Sequence, residues 1–247
     1  MNDMTQGPGA ERLTSDPVDP RILREDVRRL LAVLDEGGIG LVPLDVAYAV
    51  LAGTERGIRR IFDVKQRSYD KPSGMFANAD FSRELHVMDG DRHAMVKTLI
   101  AEVGLPFSVV APFRHDHDLL ARVEPFVLQS SSKAGTLDML LNAGPFHDEI
   151  ARRAFARGQP VFGSSANTSL SGSKYRLAEV DAPVREAADI AFDYGRSRHA
   201  NDEGRSSTII DFRDFTVIRV GVCFEALSTA FRQRFDVVLR LTDDTAV

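Results

Sequence analysis

Short apolar runs alternate with segments of helical periodicity along most of this chain, and that alternation restricts the fold more than any other feature. In residues 22–36 the apolar side chains recur at helical spacing and a glycine pair follows, which is typical of a helix that ends there. Residues 107–111, FSVVA, form a short apolar run typical of a buried strand. Some strands are joined by gaps of hairpin size, so antiparallel neighbours are expected beside parallel ones. The sequence therefore predicts an α/β fold with flanking helices and a mixed parallel and antiparallel sheet.

The same patterns assign the remaining elements. Helices are predicted at residues 22–36, 55–66, 93–103, 146–157 and 224–235. Strands are predicted at residues 39–43, 74–77, 107–111, 137–141, 159–163, 206–211 and 216–220. The last two strands are expected to form a closing hairpin.

Composition divides the chain into three parts. Residues 1–20 are rich in Gly, Pro, Asp and Ser and have little to bury, which is typical of a flexible N-terminal arm. Residues 21–223 carry the alternating elements and are predicted to form a single domain, since 247 residues of which 43% are hydrophobic suit one domain of generous size. Residues 224–247 are predicted to form a C-terminal helix and tail.

Charge and cysteine content exclude several classes of protein. A net charge of −5 and a pI near 5.7 exclude a protein that coats nucleic acid or anionic membrane through overall basic charge, although a local basic groove is compatible with both values. The single cysteine, Cys223, allows no internal disulfide and no thiolate-rich zinc site. No apolar run approaches the roughly 20 residues that span a bilayer, and the N-terminus has no signal-peptide core. We expect a soluble, cytoplasmic protein with no membrane partner.

Three cations lie within seven residues at the end of the second predicted helix and in the loop after it: Lys65, Arg67 and Lys71. One interpretation is capping of the helix dipole by solvated charges. The other is a phosphate clamp, in which arginine offers a bidentate fork and lysine a point charge to a triphosphate. These residues alone leave both interpretations open.

Two clusters of small polar residues occur later in the chain. The stretch VFGSSANTSLSG, residues 161–172, contains Ser165 and Asn167, whose small side chains let a ligand approach the backbone while offering donors and acceptors. Ser207 belongs to a hydroxyl cluster at the start of a predicted strand, and Arg219 lies on the neighbouring strand, so both could line one pocket. An ordinary polar loop and strand-edge turn chemistry would account for the same residues.

These motifs occur in a particular order along the chain. The stretches are Pro43-Leu44-Asp45-Val46-Ala47-Tyr48, Lys65-x-Arg67 with Lys71-Pro72, Phe107-Ser-Val-Val, Ser165-Ala166-Asn167, Ser207-Thr208-Ile209-Ile210-Asp211 and Ile218-Arg219-Val220-Gly221. Their order resembles the YrdC-like family, the threonylcarbamoyl-adenylate synthases, over about residues 23–222. The chain has neither a Walker-type phosphate loop nor the glycine turn of the dinucleotide-binding fold.

The resemblance implies a twisted single-domain sheet around a central, concave, cationic cavity. It also implies a nucleotidyltransferase reaction in which ATP with Mg²⁺, bicarbonate and L-threonine give threonylcarbamoyl-AMP and pyrophosphate, toward a modified adenosine in tRNA. The residues implied to bind the nucleotide are Lys65, Arg67, Lys71, Ser165, Asn167, Ser207 and Arg219. No residue is assigned a covalent catalytic role, and no side chain is assigned as a metal ligand.

The amino-acid half of the motif set departs from the family pattern. Leu44 and Val46 stand where the family has threonines, and Leu140 stands where it has an arginine. These changes remove two hydroxyls and one carboxylate or phosphate partner from the implied pocket. We therefore expect nucleotide binding to be kept, together with either an acceptor other than threonine or weakened or lost synthase activity.

Two alternatives stay open. A non-catalytic relative of the same fold could bind double-stranded RNA or tRNA through its cavity, although the acidic pI and the absence of a long Lys/Arg stripe argue against it. A carbamoyl-adenylate enzyme of the kind found inside larger carbamoyltransferases is less favoured, because the additional acceptor domain of such enzymes is not evident in the sequence.

The pair His115 and His117 lies in a polar turn, and a solvated loop is favoured over a zinc site there.

Overall fold

The computed structural model describes residues 11–66, 68, 71–168 and 171–242. The helices are α1 (Pro20–Asp35), α2 (Glu55–Lys65), α3 (Ala79–Leu85), α4 (Gly90–Thr98), α5 (Pro125–Ser131), α6 (Pro145–Arg157), α7 (Ala182–Glu186) and α8 (Phe224–Phe235). The strands are β1 (Gly40–Val42), β2 (Ala49–Ala52), β3 (Gly74–Phe76), β4 (Phe107–Pro112), β5 (Ser132–Lys133), β6 (Thr136–Leu141), β7 (Val161–Ser165), β8 (Ile190–Ala191), β9 (Ile209–Asp211), β10 (Thr216–Arg219) and β11 (Arg240–Leu241).

Helix α2, which leads into the cationic segment, is defined at both ends by local chemistry. The Thr54 hydroxyl accepts a hydrogen bond from the Gly57 amide at 3.3 Å and caps the first turn. Gln66 ends the helix in the left-handed conformation, with φ 50°. Ile58, Ile61 and other apolar residues form its buried face, and Lys65 in the last turn is buried with them. The caps at both ends and the helical period together place Lys65 in the last turn of α2, on its buried face.

The described strands form one mixed sheet. Its order is β11-β10-β9-β4-β6-β3-β7-β2-β1-β8, and β5 pairs with β6 off this path. Parallel pairing joins β3 to β6, β4 to β9, β1 to β8 and β10 to β11, whereas the other neighbours are antiparallel. The predicted mixed α/β fold is therefore confirmed, and the predicted C-terminal hairpin forms as β9 and β10.

The sheet register places a row of side chains from four strands on one face. Ile209 of β9 pairs with Ser108 of β4, Ser108 pairs with Leu140 of β6, and Leu140 pairs with Phe76 of β3. Because side chains alternate between faces along a strand, Asp138 lies on the same face as Leu140, two residues earlier on β6. This face carries the candidate site.

Helices pack on the sheet through a continuous apolar core. Helix α1 contacts α6 and β1, and α6 also contacts β3. Helix α8 packs Phe231 against Phe212 and Phe215 beside the β9–β10 hairpin, with ring centroids 5.9 Å apart in both pairs. The C-terminal helix thus packs against the hairpin whose second strand, β10, carries Arg219.

Part of the predicted N-terminal arm contacts the body of the protein. Leu13 forms a parallel bridge with Arg196, and the buried hydroxyl of Thr14 donates to Asp45 Oδ1 at 2.7 Å. Residues 1–10 of the predicted arm lie outside the described residues. Among the described helices, none is long and apolar enough to cross a lipid bilayer.

Two short elements are not predicted by the sequence patterns, and one helix begins before its predicted start. Strand β2 has four residues and directly follows the Pro43–Tyr48 segment, so no turn residue separates it as a run of its own. Helix α3 has seven residues, too few to display a helical period, and depends on the Asn78 cap, which accepts from the Phe81 amide at 2.9 Å. Helix α4 begins earlier than predicted because Asp89 caps it.

Substitution of Gly163 should destabilise the sheet at its centre. A Cβ there would lie 2.4 Å from the Val50 carbonyl oxygen, so Gly163→Ala must move one of two paired strands. We expect a loss of about 2 kcal/mol in the free energy of unfolding, measured by urea titration. Gly90→Ala is the matched control, since no atom lies within 4 Å of its added Cβ. Equal stabilities of the two variants would contradict the assigned packing.

Candidate functional site

A cavity of about 130 Å³ opens on the face of the sheet described above. It lies between the Leu44–Ala49 segment, strands β3, β4 and β6, the end of β7 and the β9–β10 hairpin. Polar residues that line it are Ser108, Asp138, Ser164, Ser165, Ser206, Ser207 and Arg219. Apolar residues that line it include Leu44, Val46, Phe76, Leu140 and Ile209. The lining of the cavity therefore combines hydrogen-bonding and apolar side chains.

Lys65 joins helix α2 to the polar loop after β7. Its side chain is only 1% exposed, and its ammonium donates to the backbone oxygens of Ser165 and Asn167, the latter at 2.5 Å. The Asn167 side-chain oxygen lies 3.5 Å from the same ammonium and also accepts from the Ser165 hydroxyl. Backbone carbonyls compensate a buried ammonium, which would otherwise be costly. Residues about 100 positions apart in the chain are thus held in one cluster.

The loop after β7 is anchored on its other side as well. The amide and hydroxyl of Thr168 both donate to Asp181 Oδ2, at 2.7 and 2.8 Å. The Asn167 side-chain amide donates to the Thr168 carbonyl at 2.6 Å. These bonds set the direction in which Ser165 faces the cavity.

Arg219 enters the cavity from β10 and is held by Ser207. Its Nε and Nη2 donate to the Ser207 carbonyl at 3.0 and 2.8 Å, and Nη2 lies 3.0 Å from the Ser207 hydroxyl. The hydroxyls of Ser207 and Ser108 are 3.3 Å apart, which links the hairpin to β4. Arg219 as a whole residue remains exposed, and the negative charge of Asp138 favours the charged form of its guanidinium.

Asp138 places a carboxylate in the cavity wall. Its Oδ1 is buried and has no hydrogen-bond partner among the described residues. Burial raises the pKa of Asp138 to about 6, and the Arg219 charge and a hydrogen bond from the Ser108 side chain limit the rise. Ser164 likewise lines the cavity with a buried hydroxyl that has no partner in the described part of the chain.

The Leu44–Ala49 wall is fixed by buried polar residues. Asp45 accepts from Thr14 as described above, its amide donates to the Ala143 carbonyl at 2.8 Å, and burial raises its pKa. The Tyr48 hydroxyl donates to the Gly195 carbonyl at 2.8 Å, and the Tyr48 carbonyl accepts from the Ala166 amide at 2.8 Å. Asp45 and Tyr48 therefore support the wall, while Leu44 and Val46 face the cavity.

A wider groove of about 580 Å³ adjoins the cavity and shares Pro72, Asp138, Ile209 and Arg219 with it. Its lining adds four cationic or anionic side chains: Lys71, Lys133, Asp211 and Arg213. The Arg213 guanidinium is paired with the Asp211 carboxylate at 2.6 Å. A ligand could enter the cavity through this groove, which is lined by Lys71 and Lys133.

The structure brings most of the predicted nucleotide residues together. Lys65 contacts Ser165 and Asn167, and Ser165 shares the cavity with Ser207 and Arg219. Lys71 lies in the adjoining groove. Arg67 lies outside the described residues.

The sequence analysis singled out the stretch that contains Ser164 but did not identify Asp138 and Ser108 as cavity residues. The available signal was the period of two in β6, where Asp138 shares a face with Leu140, a residue already singled out.

Among the described residues, no group of three or more His, Cys, Asp or Glu side chains converges on a metal position. His117 instead accepts from the Leu119 amide and lies 3.8 Å from Glu84.

Several proteins of known structure have the same fold as this chain. A hypothetical protein from Streptococcus mutans UA159, smu.1377c, superposes with a TM-score of 0.73 at 17% identity, covering 89% of this chain and 94% of that one. P. abyssi Sua5 complexed with L-threonine superposes with a TM-score of 0.68 at 18% identity, covering 92% of this chain and 61% of Sua5.

HypF in a phosphate- and nucleotide-bound form is a more distant match. It has a TM-score of 0.57 at 14% identity, covering 86% of this chain and 34% of HypF. At these identities the likeness concerns the fold. No curated protein sequence matches the chain significantly.

A match at the level of the sequence family agrees with the fold. The Sua5/YciO/YrdC family model, described as telomere recombination, matches residues 32–221, which is most of the chain and contains every residue that lines the cavity. The predicted family resemblance is confirmed, and this chain belongs to the Sua5/YciO/YrdC family.

Proposed function

We propose that this protein binds ATP and transfers its adenylyl group to a carbamate, as a threonylcarbamoyl-adenylate synthase does. The observation that carries the proposal is the cluster of Lys65, Ser165 and Asn167 beside a cavity that also contains Arg219. Small side chains and oriented backbone groups suit close approach of a nucleotide, and the cations suit its phosphates.

The proposed reaction has two balanced steps. An amine and bicarbonate condense to a carbamate with loss of water. A carbamate oxygen then forms a bond to the α-phosphorus of ATP, while the bond from that phosphorus to the bridging oxygen of pyrophosphate breaks. The protein's part in such a transfer is mainly positioning and neutralisation of charge.

Each cluster has a distinct part in this reaction. Lys65 holds the Ser165–Asn167 loop in place and adds positive charge near it. Lys71, in the open groove, is placed to attract phosphates as they enter. Ser207 holds the Arg219 guanidinium where it lines both the cavity and the wider groove, so its positive charge can stabilise charge on phosphates that enter through the groove.

Magnesium would accompany the phosphates of ATP. Mg²⁺ keeps several waters and is usually bound through substrate phosphates with one or two carboxylates, so a dedicated protein cage is not required. Bound Mg²⁺ would neutralise charge on the phosphate oxygens.

The comparisons support the ligand classes of this proposal. P. abyssi Sua5 has been solved with L-threonine, and HypF with phosphate and nucleotide, on related folds. By analogy, this chain would bind a nucleotide and a small acceptor in neighbouring parts of the site, and its product would serve tRNA modification. The aliphatic wall of Leu44, Val46 and Leu140 favours an acceptor other than threonine.

Removal of the clustered cations should weaken ATP binding. Lys71→Ala should reduce affinity about tenfold through loss of one charge-assisted contact, and Lys65→Ala more, because the loop also loses its anchor. Isothermal titration with Mg-ATP measures both. Lys97→Ala, an exposed lysine on α4, is the matched control and should bind as the parent does. Parent-like affinity in both site variants would contradict the nucleotide site.

Pyrophosphate release should depend on bicarbonate and on an amine acceptor. The assay supplies ATP, Mg²⁺ and bicarbonate with a panel of amines and amino acids that includes L-threonine. We expect release with at least one acceptor and loss of release in Arg219→Ala, because that variant removes the guanidinium from the cavity. ATP binding without release for any acceptor would contradict the synthase and favour a binding protein.

A further inference from the structure

We propose that the 130 Å³ cavity binds a small primary amine that carries no carboxylate. The inference names the acceptor class and rests on the proposed function only for the role of that amine in a reaction. The binding itself follows from the charges, unpaired atoms and size of the cavity.

Asp138 supplies the recognition of an amine. A buried carboxylate oxygen without a hydrogen-bond partner is costly, and Asp138 Oδ1 has none among the described residues. An ammonium or amine N–H would satisfy it with a charge-assisted hydrogen bond. Burial raises the pKa of Asp138 to about 6, so the group is largely ionised at neutral pH and accepts such a bond.

A carboxylate on the ligand would be disfavoured in the same cavity. Arg219 is the one cationic side chain among the described residues that line it. Its Nε and Nη2 are already directed to the Ser207 carbonyl. Leu140, which also lines the cavity, offers no donor to a carboxylate.

The remaining lining sets the size and polarity of the ligand. A cavity of about 150 Å³ holds a molecule the size of benzene, so this one suits about five or six heavy atoms. Leu44, Val46 and Leu140 would contact an aliphatic carbon chain. The Ser164 hydroxyl, which has no partner in the described part of the chain, would accept a second donor or bind a ligand hydroxyl.

Two matched ligand pairs test the inference directly. 1-Aminopropan-2-ol is L-threonine without its carboxylate, and isobutylamine is L-valine without its carboxylate. Isothermal titration of the full chain with each compound, at neutral pH and without ATP, measures the effect of that one group. We expect each amine to bind at least about tenfold more tightly than its amino acid.

A variant pair tests the part of Asp138. Asp138→Asn keeps the shape of the side chain and removes its charge, and it should weaken binding of both amines about tenfold. Asp116→Asn changes an exposed aspartate in the turn after β4 and should bind the amines as the parent does. Thermal unfolding of both variants confirms that they are folded before titration.

The outcomes separate this inference from the proposed function. Amino acids that bind as tightly as their amines, or unchanged amine affinity in Asp138→Asn, would overturn the inference. Absence of amine binding in a preparation that binds Mg-ATP would overturn it while leaving the nucleotide site intact. Amine binding in a preparation that does not bind Mg-ATP would support the inference and overturn the proposed reaction.

Discussion

The buried ammonium of Lys65 is the interaction on which the site depends. An unpaired charge inside a protein costs several kcal/mol, and the hydrogen bonds to the backbone oxygens of Ser165 and Asn167 offset that cost. Ser165 is the last residue of β7 and Asn167 lies in the loop after it, whereas Lys65 ends α2. The same contact therefore pins a helix to a central strand and fixes the loop that borders the cavity.

The cavity is lined by one guanidinium, that of Arg219, and one carboxylate, that of Asp138, among the described residues. Arg219 is already held by Ser207 and is placed at the edge shared with the wider groove, where phosphates would arrive. Asp138 faces the cavity with an unpaired oxygen and a pKa raised to about 6 by burial. Keeping an unsatisfied carboxylate lowers stability, and such a cost is typical of a residue retained for ligand binding.

Much of the fold was readable from local patterns. The helix over residues 224–235 was predicted with the bounds it has as α8, and the helical period of residues 55–66 placed Lys65 near the end of α2. Strand β2 and helix α3 were not predicted, because four and seven residues are too few to show a period. The residues predicted to bind the nucleotide came from the order of their motifs, whereas Asp138 was missed because only Leu140 of its strand was compared with the family pattern.

The sequence by itself determined the α/β class, the family and the residue types available for a phosphate site, because periodicity, caps and short motifs are local properties. Only the tertiary structure decided which of these residues meet. Three features depend on strand order and register: the contact of Lys65 with a segment about 100 residues away, the row formed by Ile209, Ser108, Leu140 and Phe76, and the Oδ1 atom of Asp138 that has no partner among the described residues. Strand order is set by long-range packing, which no local window of sequence contains.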